Sequence, residues 1–241
     1  TGTGSTQSVS GLGLSPDLVW IKRRSASAAH ALWDSVSGTQ KWLLSDGTNA
    51  EISTSDGLSS FDGDGFTLGA DATYGSWNNS GTHVAWCWDA GSGSPVSNTD
   101  GSITSTVKAN PSYGFSVVSF NAGAAGNKTA GHGLTSAPEL IIMKDRNSVG
   151  YGNWSVFHAD VCTSTSNYLL LNGTGALGSV ANTWGAALPT SSVFGFGSNV
   201  NIAANDDIIA YCFHSVAGYS SIGSYTGTGA AGNTIRQGLN Q

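Results

Sequence analysis

Asp62-Gly63-Asp64-Gly65 sets two carboxylates two residues apart between glycines, a spacing that lets alternate side chains converge on a hard cation. Two carboxylates are only part of the about six to eight oxygens that calcium takes. Asp62 and Asp64 are therefore candidate Ca2+ ligands, against the reading of the same string as a tight turn. A second chemistry is carried by aromatic rings, with eight tryptophans in 241 residues. Trp77 lies in Tyr74-Gly75-Ser76-Trp77-Asn78-Asn79, and Trp184 in Ala181-Asn182-Thr183-Trp184-Gly185. A ring exposed in such a polar loop stacks on the apolar face of a sugar. Trp77, Asn78, Asn79, Asn182 and Trp184 are the candidate carbohydrate-binding residues, against core packing as the plainer reading.

Catalytic constellations are harder to find. The chain carries no H-E-x-x-H, no G-x-S-x-G and no cysteine beside a candidate base. The five histidines read as hydrogen-bonded strand residues. Asp34, Glu51, Glu139 and Asp160 supply carboxylates for glycoside hydrolysis, but nothing in the sequence sets their separation. Gly227-Thr228-Gly229-Ala230-Ala231-Gly232 fits G-x-G-x-x-G, but a polar, non-helical continuation makes it a hairpin loop rather than a pyrophosphate cradle. No catalytic residue is assigned, and the chain is expected not to be an enzyme.

The elements that position these residues are written twice. Gly11-Leu12-Gly13-Leu14, Pro16 and Leu18-Val19-Trp20-Ile21-Lys22 answer to Gly131-His132-Gly133-Leu134, Pro138 and Leu140-Ile141-Ile142-Met143-Lys144. Gly65-Phe66-Thr67-Leu68-Gly69 loosely matches Phe194-Gly195-Phe196-Gly197, and Val84-Ala85-Trp86-Cys87-Trp88 returns as Ile209-Ala210-Tyr211-Cys212-Phe213. A third beginning closes the chain: Tyr219–Gly229 resembles Tyr113–Gly123, and Thr226-Gly227-Thr228-Gly229 repeats Thr1–Gly4. Alternating apolar residues and Asp-Gly or Asn-Gly turns at short intervals give an all-β chain of two tandem, internally duplicated antiparallel β-sandwiches. The first occupies residues 1–95, a connection 96–110, and the second 111–218. Residues 219–241 are the start of a third repeat or a strand completing the first. The first copy lacks the strand that precedes the turn in the second: either that strand was upstream and has been lost, or the segment near 219–226 supplies it by pairing back, since a missing strand would leave an open sheet edge. The phrase at 84–88, apolar on both faces, is expected to be the best-buried strand of its copy.

Thirty-four glycines and only 10% charged residues favour short strands over long helices. A net charge of −6 provides no basic field for nucleic acid or an anionic membrane, so neither is an expected partner. No apolar run is long enough to span a bilayer, and membrane insertion is not expected. Cys87, Cys162 and Cys212 read as buried thiols rather than a zinc site or disulfide framework. With Thr1 in the middle of a repeat, the chain reads as a processed product or a piece of something longer.

Taken together, Thr-Gly-Thr-Gly, Gly-Leu-Gly-Leu-Ser-Pro-Asp-Leu-Val-Trp-Ile-Lys, Ser-Phe-Asp-Gly-Asp-Gly-Phe-Thr-Leu-Gly, Val-Ala-Trp-Cys-Trp and Asn-Thr-Asp-Gly-Ser-Ile-Thr-Ser resemble a repeat domain of marine bacteriophage virion proteins. The resemblance covers nearly the whole chain. It implies jelly-roll or concanavalin-like sandwiches on a tail fibre, knob or capsid decoration, located on the extracellular surface of the virion. The implied partners are other virion proteins, further copies of the chain as a homo-oligomer, and a host cell-surface glycan. It carries over no catalytic residues and no cofactor. The expected function is structural and adhesive. The alternatives are a polysaccharide depolymerase on a sandwich scaffold and a passive spacer.

Overall fold

A computed structural model describes residues 1–147, 152–197, 201–232 and 234–235. Every regular element among these residues is a β-strand, so they contain no helix long and apolar enough to cross a membrane. In the first half, β1 (Gln7–Ser10), β7 (Gly65–Leu68) and β6 (Leu58–Asp62) form one antiparallel sheet in the order β1-β7-β6. A second sheet has the order β3-β2-β8, with β2 (Leu18–Arg23), β3 (Ala31–Asp34) and β8 (His83–Trp88). The short β4 (Lys41–Trp42) and β5 (Ile52–Ser53) pair with each other.

Eight strands make the large sheet, in the order β16-β15-β14-β13-β18-β11-β10-β9. They are β9 (Val96–Asn98), β10 (Ser105–Asn110), β11 (Phe115–Asn121), β13 (Leu140–Asp145), β14 (Ser155–His158), β15 (Asn167–Leu170), β16 (Gly178–Ser179) and β18 (Asp207–Phe213). The remaining β12 (Lys128–Gly131) and β17 (Val193–Phe196) pair as a ribbon. Residues 96–110, expected as a connection, instead supply β9 and β10. Their alternation of polar and apolar residues fits a sheet margin, and β10 pairs with β11.

Side-chain alternation along the strands builds a stack of four layers around three cores. Val19, Ile21, Trp33 and Phe66 pack between the β1-β7-β6 and β3-β2-β8 sheets. The opposite face of β3-β2-β8 places Leu18, Leu32 and Trp88 against Phe115, Ile209 and Tyr211 of the large sheet. The far face of the large sheet buries Val118, Phe120, Met143 and Ala210 under Phe194 and Phe196 of β17.

Polar contacts tie the two halves together across the middle core. The Tyr211 hydroxyl donates to Asp34 at 3.0 Å, and the Trp154 indole donates to the Leu44 carbonyl at 2.7 Å. Lys108 meets Asp17, and Arg146 meets Glu51, each at 2.6 Å. The halves form one packed body rather than two beads on a linker.

The repeated phrases share a pairing register. Leu18 stands opposite Trp88, Trp20 opposite Trp86 and Lys22 opposite Val84. Likewise Leu140 stands opposite Phe213, Ile142 opposite Tyr211 and Lys144 opposite Ile209. Burial nevertheless differs between the two. Ile208 to Cys212 of β18 are fully buried, as expected for the phrase, because β13 and β11 flank the strand on both sides. The expectation fails for β8, which among the described residues pairs with β2 alone and leaves Ala85 and Trp86 exposed. Residues 219–226 form no strand and do not complete that sheet, while residues 233 and 236–241 of the same segment lie outside those described.

Candidate functional site

The residues expected to bind sugar do not form a site. Trp77 and Trp184 are 1% and 0% exposed, and each indole N–H is spent on a backbone carbonyl, Asp56 at 3.4 Å and Asn167 at 2.7 Å. Trp77 packs edge-on to Trp33 and Trp42, and Trp184 edge-on to Phe157, so neither ring has a face free for a ligand. Large rings in polar loops here close the ends of the sandwich cores. Asn78 is buried beneath its loop, its amide donating to the carbonyls of Ser5 and Gly69, both at 2.6 Å. The Asp71 carboxylate fixes this loop by accepting from the backbone N–H groups of Trp77, Asn78 and Asn79 at 2.8, 2.8 and 3.1 Å. Asn79 and Asn182 are exposed, and Asn182 sits in the left-handed region at φ 61°, as a turn residue.

Asp62 and Asp64 do not converge on a cation site either. Asp62 accepts from the Ser60 and Thr67 hydroxyls at 2.7 and 2.8 Å. Asp64 turns the other way, accepting from the backbone N–H groups of Gly11 and Gly13 at 3.1 and 2.6 Å. The Asp-Gly-Asp-Gly string closes the β6–β7 hairpin and pins a neighbouring loop to it. Among the described residues, no group of three or more His, Cys, Asp or Glu is placed to hold a metal.

The four carboxylates considered for hydrolysis lie on separate elements, each tied to its own partner. Asp34 is bound by Tyr211, Glu51 by Arg146, Glu139 by Ser215 and Asp160 by Ser224. Burial raises the Asp34 carboxyl above its ordinary range and pushes the Tyr211 phenol well above its own. The three cysteines are free, so no bridge joins Cys87 to Cys212, and burial pushes the Cys87 thiol up to about 11.

Among the edge strands of these sheets, β8 is the one that carries an exposed tryptophan, and among the described residues no strand lies along its outer side. An unpaired strand presents a row of backbone N–H and C=O groups and normally invites pairing. Trp86, 43% exposed, stands on this edge, its ring edge-on to Trp20 at 5.8 Å between centroids. On the other face of β8, toward the first core, opens a pocket of about 180 Å³. Val9, Ile21, Phe66, Leu68 and Ala85 line it with apolar surface, and Gln7 and His83 add polar atoms. The Gln7 side-chain oxygen is buried without a hydrogen-bond partner among the described residues, and the buried His83 ring nitrogens have the Gly81 backbone beside them. Burial lowers the His83 pKa and so favours the neutral ring, which has one acceptor nitrogen.

Beside the same strand, the middle core opens into a larger cleft of about 580 Å³. Trp20, Trp88, Phe115, Tyr211 and Phe213 line its walls, and Tyr219 and Ile222 reach its mouth. Tyr219 stacks on Tyr113 at 5.0 Å. Such a cleft suits an apolar side chain or strand better than a glycan, whose hydroxyls would find few partners there.

The strand missing from the first copy was legible as a gap between the repeats. The pocket was not, because Gln7 and Val9 of β1, Phe66 and His83 come from distant stretches of the chain and carry no shared motif. A family model described as Domain of unknown function (DUF7483) matches residues 1–238. No curated protein and no solved structure matches the chain.

Proposed function

This chain belongs to the family described as Domain of unknown function (DUF7483), and since that membership carries no activity, we propose from the geometry a structural role: a module that joins neighbouring subunits through the open edge of β8. The observation that carries the reading is an unpaired strand bearing an exposed tryptophan, with an apolar pocket on one side and an aromatic cleft on the other. Proteins blunt apolar edges with charge, proline or cover; Val84–Trp88 carries no charge or proline, and Ala85 and Trp86 are left exposed among the described residues. The shared register of β2 with β8 and of β13 with β18 supports descent of both halves from one jelly-roll or concanavalin-like module. The resemblance to phage virion repeats supports placing the module on the surface of a virion, as part of a tail fibre, knob or capsid decoration, with other virion proteins as its partners.

Sedimentation velocity over a range of concentrations tests the role. The chain should associate, and Trp86→Lys, which sets a charge on the edge, should return it to monomers. A chain that stays monomeric at high concentration removes the reading. Contact with a host glycan loses the residues expected to make it, since Trp77 and Trp184 are buried. A depolymerase would have to assemble its acid and base from carboxylates that are each tied elsewhere.

A further inference from the structure

The occupant of the β8 edge follows from what fills the same place on β18. There β11 lies antiparallel to β18, with Val117 opposite Tyr211, Val118 opposite Ala210 and Phe120 opposite Ile208. The Phe120 ring meets Phe194 and Phe196 of β17, with centroids 5.9 and 4.7 Å away, in a core shared with Met143, Ala210 and Ile208. Carried across through the common register, and through the match of β7 with β17, these five positions become Phe66, Leu68, Ile21, Ala85 and His83. All five line the 180 Å³ pocket. The pocket therefore stands where the second half seats an aromatic ring delivered by a neighbouring strand.

The chain carries one other segment built like β11. It ends in Ser224-Tyr225 shortly before Gly229-Ala230-Ala231-Gly232, as β11 approaches Gly123-Ala124-Ala125-Gly126 through Ser119-Phe120. In the folded chain this segment forms no strand, and Tyr225 is 67% exposed. It is held to the second half by the Ile222 N–H donating to the Ser215 hydroxyl at 2.9 Å and by the Ser224 hydroxyl donating to Asp160 at 3.0 Å.

We propose that residues 220–225 of one copy add as an antiparallel strand to β8 of a second copy, with Tyr225 seated in the pocket; this rests on the reading of that edge as an assembly surface. The register is that of β11 on β18: Ser221 opposite Cys87, Ile222 opposite Trp86, Gly223 opposite Ala85, Ser224 opposite Val84 and Tyr225 opposite His83. Ile222 then covers the exposed face of Trp86. The Tyr225 hydroxyl then donates to an acceptor nitrogen of the His83 ring, in a seat that Ile21, Phe66, Leu68 and Ala85 line with apolar surface and Gln7 and Asn78 with polar atoms.

The donor leaves the edge after Tyr225, because the acceptor's own Gly2 holds the next position. Gly2 donates to the Gly81 carbonyl at 2.9 Å, as Ala122 donates to Asp206 at 2.8 Å where β11 runs on. Thr226-Gly227-Thr228-Gly229 of the donor repeats Thr1–Gly4, the string that holds this position in the acceptor. Donor and acceptor surfaces differ, which makes the contact heterologous and able to extend beyond a dimer unless it closes into a ring.

The test is self-association of the 241-residue chain and two Tyr225 variants, measured by sedimentation. Tyr225→Ala should weaken association on the order of 10- to 100-fold by removing a buried ring. Tyr225→Phe, which restores the side chain of Phe120, should keep most of it. Tyr225 is exposed in the single chain, so monomer unfolding should not change in either variant. Ser221→Cys should give disulfide-linked dimers through the native Cys87 under mild oxidation, since Cys162 and Cys212 are fully buried. Association unaffected by Tyr225→Ala overturns this assignment and leaves the edge reading standing. A cross-link confined to monomers overturns the role of a second copy. Wild-type chains that never associate overturn both readings.

Discussion

Tyr211→Phe removes one oxygen from the middle core and tests how the halves are joined. The phenol donates to one Asp34 carboxylate oxygen at 3.0 Å, while the other oxygen accepts from the Val36 and Ser37 N–H groups at 3.1 and 2.7 Å. Both side chains are fully buried, so no water replaces the lost donor readily. Leaving a buried acceptor unsatisfied costs about 1–3 kcal/mol. At roughly 2–4 °C per kcal/mol for a chain of this size, the expected loss is about 2–12 °C in Tm. The sign of the pH dependence follows from the raised pKa of Asp34, for which burial is the largest cause. A carboxyl whose pKa is higher in the folded chain favours folding fully below its unfolded value of 3.8, and that contribution is lost as pH rises through the folded value. The Tyr211 hydroxyl offsets part of this by stabilising the ionised form, so its removal costs most at neutral pH and less near about pH 4, where the unfolded carboxyl is half-protonated. Differential scanning calorimetry of wild type and variant at both pH values measures the difference. An equal loss at both, or none at either, refutes the claim that this phenol favours the ionised form of Asp34.

Four further outcomes are expected. Ala210→Leu should cost about 1–3 kcal/mol by overpacking a fully buried position, whereas Ala85→Leu, at the matching exposed position, should leave monomer unfolding unchanged in urea. Trp77→Ala should cost about 3–5 kcal/mol through the cavity left between Trp33 and Trp42, seen as a lower denaturation midpoint. Calcium should leave Tm unchanged, and a rise abolished by Asp62→Asn would restore the cation reading. Burial lowers Lys144 to about 8 from 10.5, so the unfolded chain holds more protons between those values and stability should rise with pH across them. Lys144→Met should flatten that slope in urea titrations.

Much of the architecture was legible because the repeated phrases carry strand periodicity and a common order. The apolar alternation of Ile209-Ala210-Tyr211-Cys212-Phe213 marks a strand buried on both faces, and β18 is one. The identical alternation at Val84–Trp88 misleads, because burial depends on whether a neighbour lies alongside, which a strand's own residues do not encode. Trp77 and Trp184 mislead for a related reason. Their polar loops suggest exposure, but the loop backbones satisfy one another through Asp71 and turn hydrogen bonds, and the rings fold inward. The pocket beside β8 is assembled from β1, β2, β7 and β8, and no local spacing announces such a convergence.

The distribution of the eight tryptophans has a spectroscopic consequence. Five of the rings, at 33, 42, 77, 154 and 184, are sealed in cores, and Trp86 on the strand margin is the tryptophan among the large exposed apolar residues. An aqueous quencher such as iodide should therefore reach Trp86 ahead of the half-buried Trp20 and Trp88 in the lone chain, and the accessible fraction should shrink as soon as another backbone lies along that margin. The molecule thus carries its own optical gauge of whether it stands alone or in company.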